Sequence, residues 1–122
     1  MKNLNKSIGS YGEDIACDFL IKEGYKILQR NFYCTIGEID IIAFHNNILC
    51  FIEVKTRFST KYGYPVEAIT KYKSLKLKKL AEFYIIKKGL TKHFVRFDAL
   101  EVFLNTNDDR CRFNLIKNIL TF

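Results

Sequence analysis

Asp40, Glu53 and Lys55, with Glu38 close by, are the residues in this chain whose types and spacing could do chemistry. They interrupt Gly37 to Arg57, GEIDIIAFHNNILCFIEVKTR, otherwise the most apolar part of the sequence. Its two runs, Ile39 to Phe44 and Ile48 to Val54, are rich in Ile, Phe and Val, so they read as adjacent strands of a hairpin. If Asn46-Asn47 is a two-residue turn, with φ > 0 at both positions, residues whose numbers sum to 93 face each other. Asp40 then lies opposite Glu53 and Glu38 opposite Lys55, with all four on one face of the sheet. Two opposed carboxylates repel, and a hard divalent cation such as Mg2+ would offset that repulsion. Lys55, one step along the same face, could orient a water or stabilise developing negative charge. The constellation suits phosphodiester hydrolysis. The plainer alternative is a Glu38–Lys55 ion pair with Asp40 and Glu53 in solvent.

The elements that must position these groups can be read in order. Ser7 to Glu23 has a helical stripe of Gly12, Ile15, Ala16, Phe19 and Leu20, and Gly24 supplies a stop. Glu13 lies at the border of that stripe by the 3.6-residue period, where it can reach the edge of whatever the helix packs on. Tyr25 to Tyr33 reads as a strand, with Tyr25, Ile27 and Gln29 on one face and Lys26, Leu28 and Arg30 on the other. After the hairpin, Phe58 to Pro65 (FSTKYGYP) reads as a loop whose aromatics sit beside Arg57 and Lys61, a mixture suited to stacking on bases and contacting phosphates. Val66 to Lys88 is expected to be helical, with a break near Ser74 and an apolar stripe of Leu77, Leu80, Ala81 and Tyr84. Gly89 ends it. Phe94 to Leu104 is a further strand, Asn105 to Asp109 a turn, and Cys111 to Ile119 the last strand. Helix, three strands, helix, two strands makes an α/β sandwich with a mixed sheet.

Composition bounds the partners. A chain of 122 residues with 48% hydrophobic and 27% charged residues is expected to be a single soluble domain. The start of the sequence, MKNLNKSIGSYGED, has no apolar signal-peptide core, so a cytoplasmic protein is expected. Cys17, Cys34, Cys50 and Cys111 have no C-x-x-C spacing and read as reduced residues, and His45 and His93 do not form a ligand pair. The net charge of +7 points to a polyanionic partner. Lys71, Lys73, Lys76, Lys78, Lys79, Lys87 and Lys88 concentrate on one helix, which could track phosphates or could be an ordinary solvated face.

With these residues in place the sequence resembles the YraN family of small bacterial proteins, within the PD-(D/E)XK superfamily of restriction-endonuclease-like and Holliday-junction-resolvase-like folds. The motifs that carry the resemblance are G-x-x-G-E at Gly9 to Glu13, R-N at Arg30-Asn31, G-E-I-D at Gly37 to Asp40, E-V-K-T-R at Glu53 to Arg57, G-x-P at Gly63 to Pro65 and R-F-D at Arg96 to Asp98. The resemblance implies a mixed β-sheet with helices on both sides. It also implies that Asp40 is the motif aspartate, that Glu53 and Lys55 are the (D/E)-x-K pair, that Glu13 is a further metal ligand and that the Val54 carbonyl is another. Ile39 stands where the superfamily label has proline. Resolvase-like relatives are commonly dimers, so a homodimer is expected by analogy.

The function expected on these grounds is a Mg2+- or Mn2+-dependent endonuclease acting on DNA, in particular branched or structured DNA. Arg57, Lys61, Lys71, Lys73, Lys76 and Lys79 would be its nucleic-acid contacts. The alternative is a non-catalytic nucleic-acid-binding module on the same fold, which would show salt-dependent binding with no need for metal. A third is an interaction protein whose aromatic surface docks a partner.

Overall fold

The structure is a computed structural model that describes residues 4–58, 71–104 and 111–120, with side chains described at 11–57, 75–104 and 111–120. Helix α1 (Leu4–Lys22) is followed by strands β1 (Lys26–Cys34), β2 (Gly37–His45) and β3 (Ile48–Phe58), helix α2 (Lys71–Lys88), and strands β4 (Phe94–Leu104) and β5 (Cys111–Ile116). The strands form one sheet in the order β1-β2-β3-β4-β5. Only β3 and β4 pair in parallel; the other neighbours are antiparallel. A parallel neighbour requires a crossover, and α2 lies within it. The expected helix and strand order, the mixed sheet and the flanking helices are all present. Among the described residues no helix is long and apolar enough to cross a membrane.

Two apolar cores explain why β2 and β3 lack a simple alternation of apolar and polar residues. On one face of the sheet, Ala16 and Leu20 of α1 pack on Ile41, Ala43, Cys50 and Ile52. On the other, Leu80, Ala81 and Tyr84 of α2 pack with Ile42, Leu49 and Phe51. A strand covered on both sides must be apolar at consecutive positions, as parallel and central strands usually are. Both helices end as their sequences require. Gly24 and Gly89 have φ of 94° and 67°, and each closes a Schellman turn. At α1 the Gly24 and Tyr25 amides donate to Ile21 and Leu20, and at α2 the Gly89 and Leu90 amides donate to Ile86 and Ile85.

The hairpin follows the expected register. Asn46 and Asn47 have φ of 50° and 65°, and Ile41 pairs with Ile52, Ala43 with Cys50 and His45 with Ile48, each pair summing to 93. The ladder then stops. Glu38 does not face Lys55; it pairs with Tyr33 of β1, while Lys55 aligns with Glu101 of β4. The strands part because the Val54 amide donates to the Asp40 carboxylate Oδ2 at 2.7 Å in place of a main-chain acceptor.

Three further expectations need correction. Lys26, Leu28 and Arg30 do not share a face. The β1–β2 register shifts between Ile27 and Gln29, and Asn31 has φ of 52°, so Arg30 reaches α1 while Leu28 and Phe32 join the α2 core. Such irregularities re-aim side chains, which plain alternation cannot anticipate. Helix α2 runs unbroken through Ser74, because a single serine costs a helix interior little. Finally, β5 ends at Ile116 and not Ile119. Beyond it the Asn118 amide donates to Asp98 Oδ1 at 3.0 Å and the Ile119 amide to the Phe97 carbonyl at 2.7 Å, which seats Leu120 in the α2 core. Phe58, expected to open a loop, is instead the last residue of β3; the rest of that loop at 59–65, the helix expected at 66–70 and the turn expected at 105–109 lie outside the described residues, as do the side chains of Lys61, Lys71, Lys73 and Ser74.

Gly12 sets how closely α1 approaches the sheet. A Cβ there would collide with Thr56 Oγ1 and lie 2.8 Å from its Cγ2, so α1 rides on β3 at a separation that only glycine permits. Gly12→Ala is therefore expected to destabilise the protein by about 1–3 kcal/mol through overpacking, read as a lower urea midpoint at unchanged slope. An unchanged midpoint would mean that α1 does not approach β3 this closely.

Candidate metal centre

The separation of β2 and β3 makes the site. On β3, Leu49 and Phe51 belong to the α2 core and Cys50 and Ile52 to the α1 core, so alternation directs Glu53 and Lys55 toward the α2 side. Lys55 Nζ lies 3.2 Å from Glu53 Oε1, as two residues on one face of one strand should. Asp40 occupies the position between the Arg30–Ile41 and Phe32–Ile39 pairs, across from the left-handed Asn31. Glu38, Asp40 and Glu53 all line a single cavity of about 550 Å³ beneath α2. The carboxylates expected to cooperate thus share one concave surface, although the ladder that would have set them opposite each other ends one pair earlier.

Burial is the largest influence on Asp40 and raises its pKa above the usual carboxylate value. The Val54 amide opposes this, and the charges of Glu13, Glu53 and Glu38 reinforce it. Glu13 therefore comes close enough to act on Asp40, as its place at the border of the helical stripe suggested. It is also tethered. Arg30 Nε lies 3.2 Å from Glu13 Oε1, and Arg30 Nη2 lies 2.7 Å from Asp14 Oδ1. This clamp was not foreseen, because the irregular β1 turns Arg30 to the α1 side.

The donor chemistry fits a hard divalent cation. Every candidate ligand is oxygen, Asp40 keeps Oδ1 beside the Oδ2 held by Val54, and Mg2+ commonly takes only one or two carboxylates with waters completing its shell. Among the described residues no three His, Cys, Asp or Glu side chains gather into a finished ligand set. A two-carboxylate site of Asp40 and Glu53, with Glu13 and the Val54 carbonyl as further oxygens, is what these residues could supply.

The expected cationic contacts fall into different settings. Lys76 lines the cavity, where its side chain passes over Gly37, and Lys79 is exposed. Arg57 turns inward, its Nε 3.1 Å from Glu101 Oε2, and Asn114 donates to the other Glu101 oxygen at 2.8 Å. That pair ties β3, β4 and β5 together.

The model of the uncharacterised protein family UPF0102 matches residues 12–102, three-quarters of the chain and every candidate ligand. The chain belongs to UPF0102. This is the YraN family that its motifs resemble. A UPF0102 protein of Clostridium botulinum strain Hall is 54% identical over 119 residues, covering 97% of each chain. One of Clostridium novyi strain NT is 47% identical over 118 residues, covering 97% of this chain and 98% of its own.

A second polar cluster, which the sequence did not disclose, adjoins the first: Asp98 pairs with Ile52, next to Glu53, and borders the same cavity, and the cluster includes the R-F-D motif of this UPF0102 chain. Asp98 is fully buried. Arg96 Nε donates to its Oδ1 at 2.9 Å and Nη2 to its Oδ2 at 3.0 Å, and the Tyr25 hydroxyl donates to Oδ2 at 3.2 Å. The His45 ring stacks on Tyr25 at 4.2 Å, and its Nδ1 lies 3.3 Å from Arg96 Nη2. Burial, reinforced by Asp98, pushes the neighbouring Cys50 thiol up to about 11, which leaves it unreactive. The one available signal was an Arg-x-Asp pair at the start of a β-strand, and strand alternation does place both on one face.

Proposed function

We propose that this protein is a Mg2+- or Mn2+-dependent endonuclease that hydrolyses phosphodiester bonds in DNA, with branched or structured DNA as its substrate. The observation that carries this reading is the shared cavity into which Asp40 and Glu53 project from parting strands, with Lys55 paired to Glu53 beside them. Asp40 and Glu53 would hold the ion, assisted by Glu13 and the Val54 carbonyl, and Asp40 is fixed in place by the Val54 amide. A divalent ion in such a site lowers the pKa of a water and stabilises negative charge on phosphate oxygens. Lys55 orients the attacking water. The attacking water gives up a proton to solvent as its oxygen forms a new P–O bond, the P–O bond to the leaving sugar oxygen breaks, and that oxygen takes a proton from solvent. Lys76 and Lys79 on α2 contact phosphates flanking the scissile one.

The test is incubation of four-way-junction, flap and single-stranded DNA with the protein in Mg2+ and in Mn2+. Cleavage by the wild type that Asp40→Asn abolishes is expected. If the wild type cuts none of them while both proteins bind DNA equally, catalysis is the wrong reading. The exposed lysines favour a binding module in that event. In either case the double variant Lys76→Glu/Lys79→Glu is expected to bind DNA more weakly, with a log–log salt slope shallower by about 2, and to weaken it more than Glu53→Gln does. An unaltered slope would remove α2 from the DNA interface.

A further inference from the structure

The cavity has two chemically different linings. One is acidic, formed by Glu38, Asp40 and Glu53 with Asp98, whose carboxylate is held by Arg96, at its border. The other is carbon, where half-buried Leu77 and Ile119 form the accessible wall over Phe51, Leu80 and Phe97 of the α2 core. Lys76 also lines it, and so does Tyr33, which is 75% exposed. A site that met only the backbone of a DNA duplex would have no use for the carbon lining, because a duplex presents phosphates and sugars outward and keeps the faces of its bases in the stack. A recessed apolar surface of this kind is matched on DNA by the face of an unstacked base. The volume of about 550 Å³ is in the range of sites that enclose a small ligand, about 300–1,000 Å³.

We infer that this cavity receives the base of a single unpaired nucleotide of DNA against Leu77 and Tyr33, with that nucleotide's phosphate meeting Lys76. The inference rests on the reading above for the ion that makes the carboxylate lining tolerant of a phosphate. It adds the kind of structure recognised: a bulge, flap or frayed end with an unpaired base, in preference to a fully paired helix. Lys76 supplies the positive charge, and its stem over Gly37 keeps that charge at the cavity. Tyr33 offers a ring that a base can stack on without moving any core residue.

Fluorescence anisotropy with the full chain in Ca2+, a hard cation that takes the same oxygen ligands, tests this with the carboxylate lining neutralised, and a denaturing gel of the labelled strand checks that the DNA stays intact. Three fluorescein-labelled duplexes are compared: one fully paired, one with a single unpaired thymidine, and one with an abasic nucleotide at the same unpaired position. The last two carry the same charge, so their ratio isolates the base. Binding to the unpaired thymidine is expected to be about tenfold tighter than to either of the others, since stacking on a protein aromatic is worth about 1–3 kcal/mol per base. Leu77→Trp, which fills the cavity, is expected to abolish the preference. Tyr33→Ala, at an exposed position that the fold does not need, is expected to reduce it several-fold. Equal affinity for thymidine and abasic ligands, or no binding to any of the three, overturns the inference, even if the protein cuts DNA in Mg2+. A preserved tenfold ratio with no cleavage in Mg2+ or Mn2+ instead overturns the nuclease reading and leaves the base site standing.

Discussion

Asp98→Ala is expected to destabilise the protein by about 3–5 kcal/mol, the scale on which removing one partner from a buried ion pair acts. Asp98 is fully buried and accepts from the Arg96 guanidinium, from the Tyr25 hydroxyl and from the Asn118 amide. Alanine would leave a nearly buried guanidinium without its counter-charge and would release the segment that carries Leu120 into the α2 core. Against a typical total stability of about 5–15 kcal/mol, that is a large share. Urea denaturation followed by circular dichroism measures it. The double variant Arg96→Leu/Asp98→Leu is expected to recover part of the loss, because it removes the uncompensated buried charge while the Tyr25 hydroxyl and the Asn118 amide still lose their acceptor. If Asp98→Ala lies within about 1 kcal/mol of wild type, the cluster does not hold β4 to the chain end.

Asp40→Asn is expected to move function and stability in opposite directions. Cleavage should fall by more than about 10²-fold, the scale on which losing one preorganised electrostatic group acts, and the heat of Mn2+ binding in calorimetry should disappear. Stability in EDTA should rise slightly, by up to about 1 kcal/mol. Asparagine can still accept the Val54 amide, and it removes a charge that Glu13, Glu53 and Glu38 all oppose. The pH dependence has a definite sign. Because the folded-state pKa of Asp40 is raised above the ordinary 3.8, the folded protein binds more protons than the unfolded chain between 3.8 and that raised value. Across this window Asp40 contributes stability that grows as pH falls, and above it the carboxylate is a constant burden. Wild type minus Asp40→Asn should therefore narrow on acidification. A difference that widens, or an asparagine variant less stable at neutral pH, would show that the carboxylate is not held in a crowded anionic setting.

These two predictions concern two carboxylates that border one cavity, and they differ in how far the sequence disclosed them. The hairpin was open to reading because its register depends on local chemistry. Two asparagines that tolerate φ > 0 fix a two-residue turn, and the turn fixes which residues face each other through Ile41 and Ile52. Helix stripes and their glycine stops are local for the same reason. The Asp98 cluster was not open to reading, because it joins Tyr25, His45, Arg96 and Asn118 from four places in the chain, and nothing in the spacing of those residues states that they meet.

The sequence alone determined the order of helices and strands, the turn at Asn46-Asn47, the two apolar faces and the family, since each depends on residue type and short-range periodicity. Tertiary structure decided where β2 leaves β3, that Arg30 turns back to clamp Glu13, that Thr56 admits only glycine at position 12, and that Arg57 faces Glu101 and not the cation surface. Each of these turns on a side chain competing with the regular backbone pattern or on the close approach of segments distant in sequence. Periodicity carries no record of either, because it describes how one element presents its own residues and not what another element brings to them.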